Sequence, residues 1–208
     1  MGLGWILEII QKGGLGIMVP LTVLMIIGLA YIIERFIALS KAKINTAEFL
    51  TKIRAALRNK NVKEAVKICE TFKGPIASIM KTGLMKYGDP KEEIEKTMEN
   101  AAMHEIARLE RGLPVLSTIS NLAPILGFLG TVTGMIASFD ALAQLNDPGA
   151  VAKGISQALI TTAGGLIVSV PMLLAYSFFT TKVNNFIREI ESASAVLMES
   201  FSQMERDI

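Results

Sequence analysis

Five polar side chains, Thr131, Thr133, Gln157, Thr161 and Thr162, sit in two stretches of 28 residues, Gly112–Phe139 and Gly154–Thr181, that contain no Asp, Glu, Lys, Arg or His. A hydroxyl both donates and accepts a hydrogen bond. Threonines inside an apolar segment can therefore hold a water or relay a proton between waters without the cost of a buried charge. The same hydroxyls can instead bond back to the carbonyl four residues earlier in a helix, and both readings are open for Thr131 and Thr162. Gln157 has the same ambiguity, between an interhelical hydrogen bond and a place in an ion path. Proton-driven machines usually need a titratable group within the membrane. Neither stretch has one, so either the chain moves no protons or a carboxylate comes from another chain.

Other chemistries find little support. Cys69 is the only cysteine, which excludes internal disulfides and cysteine-based zinc sites. It falls at an apolar helical position and reads as core. His104, the only histidine, lies among Glu105, Arg108 and Glu110 and reads as a surface residue. The spacing of Gly127, Gly130 and Gly134 resembles a nucleotide loop only superficially, because it lies inside an apolar run. No nucleophile–base–acid set or metal-ligand spacing is present, so neither an enzyme nor a cofactor or metal is expected. Basic and acidic residues are intermixed at a formal net charge of +2, which gives no footing for a nucleic-acid role.

The elements that carry these residues read as membrane spans. At 1.5 Å rise per residue each 28-residue stretch makes a helix of about 42 Å, longer than the ~30 Å hydrocarbon core of a bilayer. A third uncharged run of 21 residues, Gly13–Ile33, is long enough to cross once. Small or hydroxyl residues recur every three or four positions, at Ala123, Gly127, Gly130, Gly134 and Ser138, and again at Gly154, Ala158, Thr161, Gly165 and Ser169. A lipid-facing surface has no use for such stripes, whereas close helix contact or a polar path does, and a ring assembly is expected from them. Between the first two spans, 34–111 holds 16 of the 21 Lys/Arg. The positive-inside bias places the N-terminus outside, that block and the tail inside, and the loop 140–153 outside.

These signals predict an all-α membrane protein with three transmembrane helices, two of them long and extending into a cytoplasmic helical domain. An interfacial helix, with Trp5 as aromatic anchor, covers 1–12. The first transmembrane helix covers 13–39 and ends at Glu34 and Arg35, read as a solvated boundary pair or as a fixed pair organising subunit contacts. The cytoplasmic helical domain covers 40–111, the second and third spans with a short periplasmic loop at 140–153 cover 112–181, and a cytoplasmic helical tail covers 182–208. Within 40–111, apolar stripes begin at Phe49, Val62 and Ile76, with breaks at Gly74-Pro75 and Gly88-Asp89-Pro90. A stripe from Ile94 to Leu113 runs on into the second span. The tail face, Phe186 to Met204, is expected to pack on the helices of 41–111.

The runs Leu122–Gly134 (LAPILGFLGTVTG) and Gly154–Leu166 (GISQALITTAGGL), followed by Pro171, resemble the MotA/TolQ/ExbB proton channel family. The Gly-Gly before the first span and Ile33-Glu-Arg-Phe36 after it fit as well, and three spans resemble the ExbB/TolQ branch. The resemblance implies a homopentameric ring in the bacterial inner membrane around a dimer of a single-span partner similar to ExbD or TolR. That partner's transmembrane aspartate would take up protons in the pore, and a TonB- or TolA-like protein would carry the energy onward to the cell envelope. It places the family's pore threonines on Thr131 and Thr162. Thr133, Thr161 and Gln157 are further candidates for the ion pathway; Glu34, Arg35, Gly127, Gly130, Gly134, Gly165 and Pro171 are candidates for structural contacts. Well-known ExbB and TolQ proteins carry a glutamate where this chain has Gln157. That departure keeps a sodium-driven member of the family as an alternative, beside a non-conducting scaffold that recruits cytoplasmic partners.

Overall fold

The computed structural model describes residues 2–145 and 147–206, apart from the side chains of 2–7, 145 and 205. The anchor expected at Trp5 therefore lies outside the described residues. Among the described residues eight helices follow one another: α1 (Gly2–Gly13), α2 (Leu15–Ala42), α3 (Thr46–Arg58), α4 (Val62–Thr71), α5 (Pro75–Met85), α6 (Lys91–Glu110), α7 (Leu113–Leu145) and α8 (Pro148–Arg206). No strand forms among the described residues. The chain divides into two compact units, one of Met1–Glu34 with Gly112–Phe178 and the other of Arg35–Arg111 with Phe179–Ile208.

The first unit holds α1, the first part of α2, all of α7 and α8 as far as Phe178. Three described helices are long and apolar enough to cross a membrane. Their outward side chains are large and apolar, with Ile26, Ile125, Phe128, Ile167 and Leu174 each more than 60% exposed. Such a surface belongs against lipid or protein rather than water. The chain is a multi-pass membrane protein.

Gly14, at φ +85°, ends α1, and α2 starts at Leu15, two residues after the position expected to open the first span. Only glycine takes that backbone region without strain. The expected loop at 140–153 is almost wholly helical instead. Helix α7 runs to Leu145 and α8 starts at Pro148, the favoured first helical residue, while the Asp147 carboxylate accepts the Gly149 N–H at 2.8 Å.

The second unit is a helical bundle whose helix starts are written locally. Asn45 and Asn61 cap α3 and α4, each accepting the N–H of a glutamate three residues on, Glu48 at 3.3 Å and Glu64 at 3.1 Å. Each asparagine amide also donates to that glutamate's carboxylate. Pro75 opens α5 and Pro90 precedes α6. The core combines Phe49, Ile53 and Leu57 of α3 with Met80 and Leu84 of α5 and with Ile190, Leu197 and Phe201 of α8. The tail face thus packs into the bundle as its spacing suggests, and Thr46 fixes the register by donating to Glu189 at 2.6 Å.

The stripe expected to run unbroken from Ile94 through Leu113 is interrupted. Helix α6 stops at Glu110, Arg111 turns to an extended conformation, and Gly112 takes φ +84° before α7 begins. A buried guanidinium caps the helix at this stop. Arg35, 4% exposed, donates from Nη1 to the carbonyls of Arg108 at 3.1 Å and Leu109 at 3.3 Å. These are last-turn carbonyls, which a helix leaves without internal partners. Of the two boundary residues, Glu34 is exposed, while Arg35 reaches the end of a helix distant in sequence.

Candidate hydroxyl site on the α7–α8 seam

The two small-residue stripes meet each other within one chain. A Cβ on Gly165 would stand 2.5 Å from the Ala123 carbonyl oxygen and 3.1 Å from the Gly127 Cα. One on Gly127 would stand 2.9 Å from the Thr161 carbonyl oxygen, and one on Gly134 would stand 3.1 Å from the Ala158 side chain. Helices α7 and α8 therefore touch backbone to backbone through Gly127, Gly134 and Gly165, while Gly130 lies against the Thr161 side chain and Gly154 against Ser138. The stripes do not by themselves require a second copy of the chain, because α7 and α8 consume them.

This seam carries no charge and satisfies its own polar groups. Pro124 lies inside α7 and has no N–H, which leaves the Ser120 carbonyl without its helical donor. The Ser169 hydroxyl of α8 donates to that same carbonyl at 2.6 Å, in a buried position. Ser120 turns its own hydroxyl to the Ser117 carbonyl. Sequence reading placed Ser169 in the small-residue stripe but not at a proline-orphaned carbonyl. The signal was available, since a hydroxyl must face residue 120 if residue 124 is proline and the seam is dry.

Thr131 and Thr162 meet at the edge of the same seam, both half-buried. Their hydroxyls are hydrogen-bonded to each other. Both also reach one carbonyl, that of Gly127, at 3.3 Å from Thr131 and 3.2 Å from Thr162. The local back-bond expected for such threonines thus holds for Thr131, whereas Thr162 reaches across to the other helix. Thr133 bonds back to Leu129 at 3.0 Å and faces outward, and Thr161 is buried and donates to Ala158 at 2.7 Å. Thr133 and Thr161 therefore lie outside the pair.

Gln157 is not at this site. Its side-chain amide lies against Gly14 at the α1–α2 junction. At 100° per residue it stands about 140° around α8 from Thr162. Ile160, beside Gly13, and Gly164, beside Met18 and Leu21, mark the same α2-facing flank. Pro171 is exposed on α8.

The pair's chemistry follows from counting protons. Two hydroxyls hold two protons, and three contacts compete for them. One hydroxyl donates to Gly127 and the other donates to the first, in either of two arrangements. Both donors are then committed, and what remains is lone-pair acceptor capacity. Such a pair accepts from a water, a hydronium or a protonated carboxyl, or coordinates a cation. Donating to a carboxylate would break one of its own bonds, worth about 1 kcal/mol. Exchange between the two arrangements moves the hydrogen bonds without moving a heavy atom.

A profile of the MotA/TolQ/ExbB proton channel family matches residues 71–192, which include α7 and both threonines. The chain is 31% identical over 189 residues to a putative biopolymer transport protein ExbB homolog of Methanothermobacter thermautotrophicus, covering 90% of this chain and 67% of that one. It is 27% identical over 199 residues to a putative biopolymer transport protein ExbB-like 3 of Synechocystis, covering 94% and 91%. A Tol-Pal system protein TolQ of Pseudomonas aeruginosa matches at 38% over 93 residues, covering 44% and 40%. The profile match and these relatives agree, and the chain belongs to the MotA/TolQ/ExbB proton channel family.

Proposed function

We propose that the chain is the channel-forming subunit of an inner-membrane motor driven by the proton-motive force. It works with a single-span partner similar to ExbD or TolR and passes energy to the cell envelope through a TonB- or TolA-like protein. The observation that carries this reading is the Thr131–Thr162 pair, half-buried and rich in acceptor capacity on a seam with no titratable group. A protonated carboxyl from a partner is the donor such a pair would accept, and an ionised one would be released from it.

The proposed assembly is a pentamer of this chain around two partner copies. The large apolar side chains exposed on α2, α7 and α8 supply surfaces for neighbouring copies as well as lipid. The proposed topology places the N-terminus and the α7–α8 connection in the periplasm, and 35–111 and the tail in the cytoplasm.

Reconstitution into liposomes with the neighbouring single-span protein tests this. Proton uptake is expected with the partner present and lost when the partner's transmembrane aspartate is changed to asparagine. Drive by a sodium gradient alone would replace the proton with sodium. Equal ion permeability with and without the partner would favour the non-conducting scaffold. Native mass spectrometry should return pentamers, and monomers throughout would end the ring reading.

A further inference from the structure

In the second unit, the last turn of α3 and the last turns of α8 border a groove of about 680 Å³. Arg54, Arg58, Lys60 and Arg206 line it against one described carboxylate, that of Glu199. Its floor includes Leu57, 1% exposed, and Met204, 6% exposed.

Cations at a helix C-terminus commonly serve the helix's own carbonyls. That role is already filled here. The carbonyls of Ala55, Leu57 and Ala56 accept the backbone N–H groups of Asn59, Lys60 and Asn61 at 3.3, 2.9 and 3.0 Å. Arg54 and Arg58 are exposed, lie one turn apart, and make no ion pair among the described residues. Lys60 takes φ +54°, the only non-glycine residue with positive φ among the described ones, at a closing position where glycine or asparagine costs less.

We propose that this groove docks an acidic peptide segment of a partner protein, with its carboxylates on Arg54 and Arg58. Planar guanidinium groups suit bidentate carboxylates. Four cations around a groove of this size exceed what one free phosphate would engage, and no lining residue is an aromatic ring on which a base could stack. The inference is independent of the channel reading, because it concerns only the second unit.

The test uses the full chain in neutral-lipid nanodiscs and a fluorescein-labelled, glutamate-rich peptide. Saturable binding that weakens with added salt is expected, with none for a lysine-rich counterpart. Arg54→Glu with Arg58→Glu should raise Kd at least about tenfold. Both side chains are exposed, so the fold should survive, as circular dichroism would verify. Arg54→Lys with Arg58→Lys should retain most of the binding. Absence of saturable binding overturns the proposal, as does an unchanged Kd in the charge-reversed variant. Stronger displacement by pyrophosphate or by phosphatidylglycerol bicelles than by unlabelled peptide also overturns it, assigning the groove to a phosphate or to a membrane surface.

Discussion

Thr131 and Thr162 share one acceptor: both hydroxyls lie within 3.3 Å of the Gly127 carbonyl while bonded to each other. Two protons serve three contacts, so either hydroxyl alone can keep only part of the network. Thr131→Val and Thr162→Val preserve shape and delete a donor. Each should leave assembly intact and abolish energy-dependent function in a complementation assay. Thr→Ser at either position should retain much of it, because the hydroxyl remains. Full activity in both valine variants, with assembly verified in parallel, would remove the site assignment.

The seam that holds the pair tolerates no added carbon at its tightest point. A Cβ at Gly165 would press on the backbone of Ala123 and Gly127, neither of which can move aside as a side chain could. Gly165→Ala should lower stability by about 1–3 kcal/mol. Gly16→Ala is the internal control, since nothing lies within 4 Å of that position. It should cost nothing and can gain up to about 1 kcal/mol from helix propensity. Unfolding in mixed micelles would measure both.

Ser169 and Pro124 make a pair that a double-mutant cycle can expose. Ser169→Ala leaves the Ser120 carbonyl buried without a donor, at a cost of about 1–3 kcal/mol. Pro124→Ala restores the backbone N–H that the proline removed. In that background, Ser169→Ala should cost markedly less, because the carbonyl has regained its helical partner. Additive effects would mean that the hydroxyl matters for packing alone.

Much of this fold was legible because its signals are local. Asn45 and Asn61 with glutamates three residues on, the Gly-Pro break at Pro75, and the spacing of Ile190, Leu197 and Phe201 all act within a few residues of themselves. The stop at Arg111–Gly112 does carry a local signal, Gly112 at φ +84° with Pro114 two residues on, but the apolar stripe masks it. Leu109 and Leu113 are both buried, so the stripe stays in phase, while Arg35, whose guanidinium caps the end of α6, lies some 74 residues away. The candidate site was half legible. Residue types placed hydroxyls at Thr131 and Thr162, but which hydroxyl bonds locally and which crosses to another helix depends on how deeply the glycines let α7 and α8 approach. Gln157 stood out by composition, yet its position around α8 sends it to Gly14 instead.

Arg35 should behave as a helix terminator rather than as a surface charge. Arg35→Met keeps the aliphatic stem but strips the donors from the Arg108 and Leu109 carbonyls, at a cost of about 1–3 kcal/mol. Arg35→Lys keeps the charge but ends in a shorter stem that does not place its nitrogen where Nη1 meets both carbonyls, and should fall between the wild type and Arg35→Met. Hydrogen exchange should rise at the end of α6 in both variants. Unchanged exchange there would mean that the turn at Gly112 ends the helix unaided.

Cys69 supplies a pH-dependent readout of the second unit. Burial, at 4% exposure, pushes its thiol up to about 12, opposed only weakly by the charge of Lys81. An unfolded thiol titrates near 8.5, so at pH 8 the folded protein holds only roughly one thiolate in 10,000. Maleimide labelling at pH 8 should therefore be slow, and should become fast when denaturant opens the bundle. The sign of the stability effect follows from the raised value. The contribution is fully present below about pH 8.5 and is lost as the pH rises toward 12, because the unfolded chain releases a proton that the folded one retains. Cys69→Ala should flatten that part of the alkaline stability curve while lowering stability at neutral pH through the lost packing. Rapid labelling of the native protein at pH 8 would place Cys69 at an opening surface instead of in the core.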